Sequence, residues 1–553
     1  MNKSDLLRKS VVVLAWSLPA VFALHAMFTH WVAVPFWDEW ETPGAQLAHY
    51  CRGSLGWADL FGQHNEHRLF FPRLIWLPLA ILAGWDVRYE MVLTFVLVCL
   101  GAVGLAKLLQ FSLSRSTGVI LSAILGLLLF SPREYETFLV GTQGQTFVPT
   151  IALVFALLIN VSERSLGRKA IVNALLALIA SYSFGNGMLV WLFGFPIAAS
   201  ETQPRSRRLW WSFYLGIGVI SIGLYFVSYR HPPLSPPIVS PFTNPAAFGR
   251  FILIWIGSLF SVTAPAILGG VLLCLFVGLA LIALRQARRI GEWRRYYPWL
   301  ALGAYTLASA AIAAMARLGF DWSMAGDSRY TTFSSFFYIA LVGLAFSVFG
   351  QSIVARIAAP AALIAVLALW ILSLGPERRF LRADRILRKH LELIVRWSDA
   401  IPHNPELPLT SPYPVPETLA TIRVLAAHDI LRPRLVSRDL ARRLQNPPRA
   451  IDLSAGVLEE AVLDQNGDLK CNGWARVPGN NRPADCVILG FESGNGTWEP
   501  WCVFETESKD GAFSRTIKGS ALPSAATIRA CAVDLATEQI FALAGAPSVP
   551  AFH

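Results

Sequence analysis

Apolar residues run in long blocks over the first two-thirds of the chain and then give way to short alternating stretches. The blocks lie at 11–34, 91–109, 118–130, 147–161, 170–184, 188–199, 209–227, 263–284, 299–315, 333–349 and 357–374. A helix that crosses a bilayer needs about 20 mostly apolar residues, so the pattern predicts about eleven spans. Several blocks are short, and those on either side of 183–187 read as a tight hairpin. The stretch 69–84 is apolar but short, and it is expected to lie at the interface or to re-enter.

The first block follows Lys3, Arg8 and Lys9 and is too long for the apolar region of a signal peptide. It reads as an uncleaved first helix with its N-terminus inside. The connectors then assigned to the cytoplasm carry Lys107 and Arg115, Arg164 to Lys169, Arg205 to Arg208, Arg285 to Arg295, and Arg356, as the positive-inside rule asks. Arg378, Arg379, Arg382, Arg385, Arg388 and Lys389 run against that rule, since they follow the last span on the outer side.

Beyond 375 the pattern changes. Residues 376–449 form an Arg-rich helical linker, with Leu381, Ile386, Leu387, Leu391, Ile394 and Val395 at helical spacing and a Pro-rich break at 402–416. Such a helix suits a membrane surface or a solvated linker. From 450 to 553 short runs at 486–491, 501–504, 513–517 and 527–533 alternate with Gly, Asn, Asp and Pro, including the turn pairs Asn466-Gly467 and Asn495-Gly496. This predicts a soluble β-sandwich. Cys471, Cys486, Cys502 and Cys531 fall in it, as disulfides or as buried thiols.

Composition agrees. Of 553 residues 54% are hydrophobic and 15% charged, with mean hydropathy +0.48. That excludes an ordinary soluble enzyme and a disordered chain. The net charge of +11 is uneven: 450–553 holds 7 Lys and Arg against 13 Asp and Glu, a net of −6, and the rest carries +17. The basic membrane part calls for a lipid bilayer as partner and not for nucleic acid. Phosphate-loop, dinucleotide and Gly-x-Ser-x-Gly motifs are absent from the sequence. The expected fold is therefore a polytopic α-helical membrane protein with a C-terminal β-sandwich. Its domains are 1–375 (including a long first outside loop, 35–88), 376–449 and 450–553.

The candidate chemistry sits in two outside loops. One holds Trp37-Asp38-Glu39-Trp40-Glu41 and, further on, Gln63-His64-Asn65-Glu66-His67-Arg68 with Arg73. The other runs from Arg317 past Asp321, Trp322 and Asp327 to Arg329 and Tyr330. Carboxylates on one loop and arginines on another suit an anionic lipid-linked substrate: a carboxylate takes a hydroxyl proton while guanidinium groups hold a phosphate. His64 and His67, at i and i+3, would share a helix face, so with Glu66 they suit a divalent metal or a hydrogen-bonded network. The sequence names no certain cofactor, and a divalent metal is the one it allows. Gln143 and Gln145 suit sugar hydroxyls, though loop polarity alone explains them, Asn186 reads as a turn residue ahead of a ligand, and Trp37, Trp40, Trp57 and Trp322 as interfacial aromatics or sugar-stacking faces.

The long first outside loop, opening on Asp38-Glu39 just after span one and followed by His64-Asn65-Glu66-His67-Arg68, resembles a bacterial branch of the GT-C membrane glycosyltransferases over about residues 1–375. The resemblance implies a GT-C-like membrane domain that transfers a sugar from a polyprenyl-phosphate donor to a glycan acceptor. The reaction would take place at the outer face of the inner membrane, with the C-terminal domain periplasmic. It makes Asp38 the catalytic base, with Glu39 beside it. His64, Glu66, His67, Arg68, Arg73, Arg317, Arg329 and Tyr330 are the expected substrate contacts. Two alternatives stand beside it: a polysaccharide polymerase or ligase using a polyprenyl diphosphate, and a non-enzymatic transporter of lipid-linked sugar.

Overall fold

The structure is a computed structural model that describes residues 3–545, apart from 113–117, 200–201, 233–234, 236, 238–241, 261–262, 351, 466, 493–496 and 519–526. The expected turn at Asn495-Gly496 lies outside the described residues, as does Asn466 of the other turn pair. Gly467 takes φ +78°.

Among the described residues nine helices are long and apolar enough to cross a membrane: Ser10–His30, Arg88–Phe111, Gly118–Leu139, Gly141–Val161, Pro204–Phe226, Pro265–Arg289, Trp293–Arg317, Ser328–Phe349 and Ile353–Trp397. A helix satisfies its own backbone polar groups, which is what lipid demands. The two fewer than expected both come from 170–199. Helix Leu166–Ser181 is only 16 residues long and carries buried Lys169 and Asn173. The next block breaks into a 3-10 turn at Gly185–Leu189 and a four-residue helix, Val190–Phe193. Gly187 enforces the bend: a Cβ there would stand 1.9 Å from the Ala180 carbonyl oxygen. The stretch 69–84 forms a 14-residue helix, Phe70–Ala83, with Pro78 inside it. A second short apolar helix, Pro245–Gly257, was hidden in the sequence between polar segments.

The chain divides into two compact units. The first comprises Met1–Trp31, Gly56–Trp76 and Arg88–Arg382. Ser328–Phe349 is its central helix, with 83% of its apolar window buried, against 17% for Ser10–His30 and Pro265–Arg289. Thr331 and Ser335 bond back to the helix's own turns, whereas Ser328 and Ser334 donate to the carbonyls of Arg133 and Trp255. Outer helices leave Leu18, Val219 and Ile267 exposed, an apolar surface suited to lipid rather than water.

The second unit comprises Val32–Leu55, Leu77–Val87 and Ala383–His553. It joins pieces of the first loop to the C-terminal region: Arg388 lies over the Phe36 ring at 4.5 Å, and Trp40 packs edge-on against Trp85. The linker's helical spacing is real, but Leu391, Ile394 and Val395 are fully buried within this unit, so protein and not lipid or water covers that part of the face. The Pro-rich break ends the helix at Trp397, and helix Val415–Ala427 follows.

Two short strands, β1 (Gln63–His64) and β2 (His67–Arg68), belong to the first unit. The other strands are β3 (Gly456–Leu463), β4 (Leu469–Ala475), β5 (Cys486–Glu492), β6 (Trp498–Phe504), β7 (Ala512–Ile517), β8 (Thr527–Asp534) and β9 (Gln539–Ala542). They form two antiparallel sheets, β3-β4-β7 and β6-β5-β8-β9, which share one core containing Leu458, Cys471, Leu489, Trp501 and Phe513. All seven cysteines are unbonded, and the four of this region are buried thiols.

Candidate functional site

The segment 63–68 is a hairpin and not a helix. His64 and His67 face each other across β1 and β2, and Asn65 turns the chain at φ +47°, a left-handed conformation that Asn tolerates. The helical i, i+3 face expected for a metal is therefore absent. Backbone carbonyls hold the hairpin from below. Arg68 donates to Phe61, Tyr225 and Val227, and buried Arg73 donates to Leu60 and Gly62. Gln63 accepts the Arg230 N–H, which ties the segment after helix Pro204–Phe226 to the hairpin.

At the turn, Glu66 meets Arg317, the last residue of helix Trp293–Arg317. Both guanidinium nitrogens donate to the carboxylate, Nη1 to Oε1 and Nη2 to Oε2, each at 2.7 Å. The helix C-terminus favours a cation there. Ser235 donates to Glu66 Oε1 at 2.6 Å, and the Tyr225 hydroxyl donates to its backbone carbonyl at 2.7 Å. Burial opposes ionisation of Glu66, but its electrostatic neighbours His67 and Arg317, with the side-chain hydrogen bonds from Ser235 and Arg317, outweigh it and hold its pKa below the usual carboxylate range.

His67 lies on the Phe184 ring at 4.0 Å, and its Nδ1 accepts the Gly185 N–H at 3.1 Å. Burial pushes its imidazole down to about 3 against the pull of Glu66, and the Arg317 charge adds to the effect. The ring is thus neutral near pH 7, with its proton on Nε2.

These groups line a cavity of about 260 Å3. Phe184, Tyr225, Tyr229, Trp255, Tyr330 and Phe333 wall it, and Trp255 stacks on Tyr330 at 4.6 Å. Asn186 also faces it: its amide donates to Ser309 at 3.0 Å, while its buried Oδ1 has no hydrogen-bond partner among the described residues. Of the expected contacts, Glu66, His67, Arg317 and Tyr330 come together here. His64 is buried beside Asn65, and Arg329 pairs with Asp327 at 3.0 Å; neither lines the cavity.

Asp38 and Glu39 sit in the second unit, on the 3-10 turn Trp37–Trp40. Glu39 is fully buried and accepts the Phe36 N–H at 2.7 Å, which fixes the turn. Tyr413 donates its hydroxyl to Glu41 and lies against Asp38. Burial, then the charges of Asp38 and Glu41, push this phenol well above its ordinary pKa. Trp40 is core, whereas Trp37 and Trp57 are exposed.

Among the described residues no group of three His, Cys, Asp or Glu is placed to hold a metal ion. His67 Nδ1 is taken by the Gly185 N–H and Glu66 by Arg317, so these residues do not fit a divalent metal. Sequence reasoning missed Tyr413, Ser235, Trp255 and Tyr225, and read Asn186 as a turn residue. Nothing in local spacing signals them, since their partners lie far away in the chain. No family model matches the chain, and no characterised protein or solved structure is significantly similar to it.

Proposed function

We propose that the protein is a membrane glycosyltransferase. In this reading it moves a sugar from a polyprenyl-phosphate donor to a hydroxyl of a cell-surface glycan, with inversion at the anomeric carbon. The observation that carries the reading is the Arg317–Glu66 pair in an aromatic-walled cavity beside neutral His67 and Asn186. Guanidinium suits a phosphate held through two oxygens, and aromatic faces suit a sugar ring.

In the reaction the acceptor oxygen bonds to the anomeric carbon. The bond from that carbon to the phosphate oxygen breaks, and its electron pair stays on the phosphate. The acceptor proton passes to a carboxylate. Arg317 holds the departing phosphate, whose low basicity removes the need for a strong general acid. The reaction takes place at the outer face of a bacterial inner membrane, with the C-terminal sandwich on the same side. Among the described residues the cavity lining holds one arginine, which matches the single charge of a phosphodiester more closely than that of a diphosphate and ranks the polymerase or ligase reading second. Asp38 and Glu66 stand outside the nine helices that, among the described residues, are long and apolar enough to cross a membrane, which favours chemistry over transport.

The test is reconstitution in lipid nanodiscs with a panel of polyprenyl-phosphate sugars and acceptor glycans. Acceptor-dependent release of polyprenyl phosphate, lost in Arg317→Gln, is expected. Movement of the lipid-linked sugar across vesicles without cleavage would replace this reading with the transporter.

A further inference from the structure

Arg317 is not idle in the cavity. Its Nη1 and Nη2 are both spent on Glu66, at 2.7 Å each, and Nη1 also lies 3.5 Å from Ser235. A phosphate that binds this arginine through two oxygens must first take those donors from the carboxylate. A phosphodiester is the natural competitor. It carries one negative charge and two free oxygens, as a carboxylate does, and it matches the planar guanidinium fork in the same way.

Glu66 can yield without losing every partner, because Ser235 donates to it at 2.6 Å independently of Arg317. The second feature that points to a ligand is Asn186. It is 6% exposed, lines the same cavity, and its Oδ1 has no hydrogen-bond partner among the described residues. A buried acceptor of that kind calls for a donor from the ligand. The arginine fork, once Glu66 moves aside, suits an anion, and the amide oxygen asks for a hydroxyl.

We infer that Glu66 is a carboxylate latch: the phosphodiester of a lipid-linked sugar enters by displacing Glu66 from Arg317, while a sugar hydroxyl donates to Asn186. Glu66 in the empty site keeps Arg317 paired and in place, and in the filled site it moves aside. The inference rests on the proposed sugar-transfer reading for the identity of the ligand, but its test reads binding and not turnover.

The test measures equilibrium binding of a farnesyl phosphoryl-hexose to the full-length protein in detergent, with farnesyl methyl phosphate and inorganic phosphate as comparison probes. Removing a competing charge-assisted pair is expected to tighten phosphodiester binding about tenfold in Glu66→Gln. Arg317→Gln weakens it by at least about tenfold. Asn186→Ala erases the preference for the hexose probe over the methyl ester. Glu66→Gln binding as tightly as wild type or more weakly, with an unchanged melting temperature, overturns the latch. If Glu66→Gln does not fold, Glu66→Asp decides, because the shorter side chain stretches the pair with Arg317: tightening upholds the latch, and no change or weakening overturns it. Tightening without any sugar transfer by the wild type leaves the latch standing and removes the transferase reading. Transfer by the wild type without tightening in the variant removes the latch alone.

Discussion

The Tyr413 hydroxyl donates to the Glu41 carboxylate across 372 positions of sequence. That bond fastens the turn bearing Asp38 to the segment between helices Ile353–Trp397 and Val415–Ala427, as does the Trp37 N–H donated to the Thr410 carbonyl. The carboxylate nominated as the base is therefore set in a framework that the first loop does not build alone.

Asp38→Asn is expected to lower sugar transfer about 100-fold or more, the usual loss on removing a general base, while insertion and melting temperature stay unchanged. Donor consumption at the wild-type rate would take the role away from Asp38. Tyr413→Phe, which removes the hydroxyl from Asp38 and Glu41, should lower turnover less.

Glu39 is expected to matter for stability before chemistry. Glu39→Ala leaves the partly buried Phe36 N–H without its side-chain acceptor, a loss of about 1 kcal/mol or more. Thermal melting of the purified protein checks this. Unchanged melting together with abolished transfer would return Glu39 to the catalytic group.

In the second unit His390 lies between Glu406, 2.9 Å from Nε2, and Glu505, 3.1 Å from Nδ1, and Arg515 pairs with Glu406 at 2.9 Å. Burial opposes ionisation of both glutamates, but the His390 hydrogen bonds and charge, with Arg515, outweigh it and hold them below the usual carboxylate range. A depressed pKa contributes stability that is complete above the unfolded value, near 4.3, and is lost as pH falls through the lower folded value. The melting temperature is expected to fall below about pH 4 more steeply in the wild type than in Glu505→Gln. Parallel acid profiles for the two proteins would show that the glutamate shift contributes nothing.

Charge bias predicts the topology. An alkaline phosphatase fused after His553 should be active in a bacterial host, and a reporter that works only in the cytoplasm should be silent there. The reverse pattern would place the two-sheet region inside and invert the assignment of every connector.

The sequence by itself determined what is local. Uninterrupted apolar windows fixed most of the long helices, because a helix needs only its own backbone and an apolar surround. Alternation placed β5, β6, β7 and β8 within a few residues, and the charge reversal after 450 marked where the two-sheet region begins. Glu66, His67, Arg317 and Tyr330 were legible as candidates because charge beside an apolar helix is costly and stands out. Tertiary structure decided the rest. Asn65 made a turn of what spacing read as a helical face, Gly187 bent a would-be span against Ala180, and Glu39 turned inward to fix Phe36. It also chose Glu66 for Arg317 over 251 positions, and left Asn186 facing the same cavity. Periodicity reports the environment each residue prefers along its own element. Which distant partner supplies that environment is settled only when the elements pack.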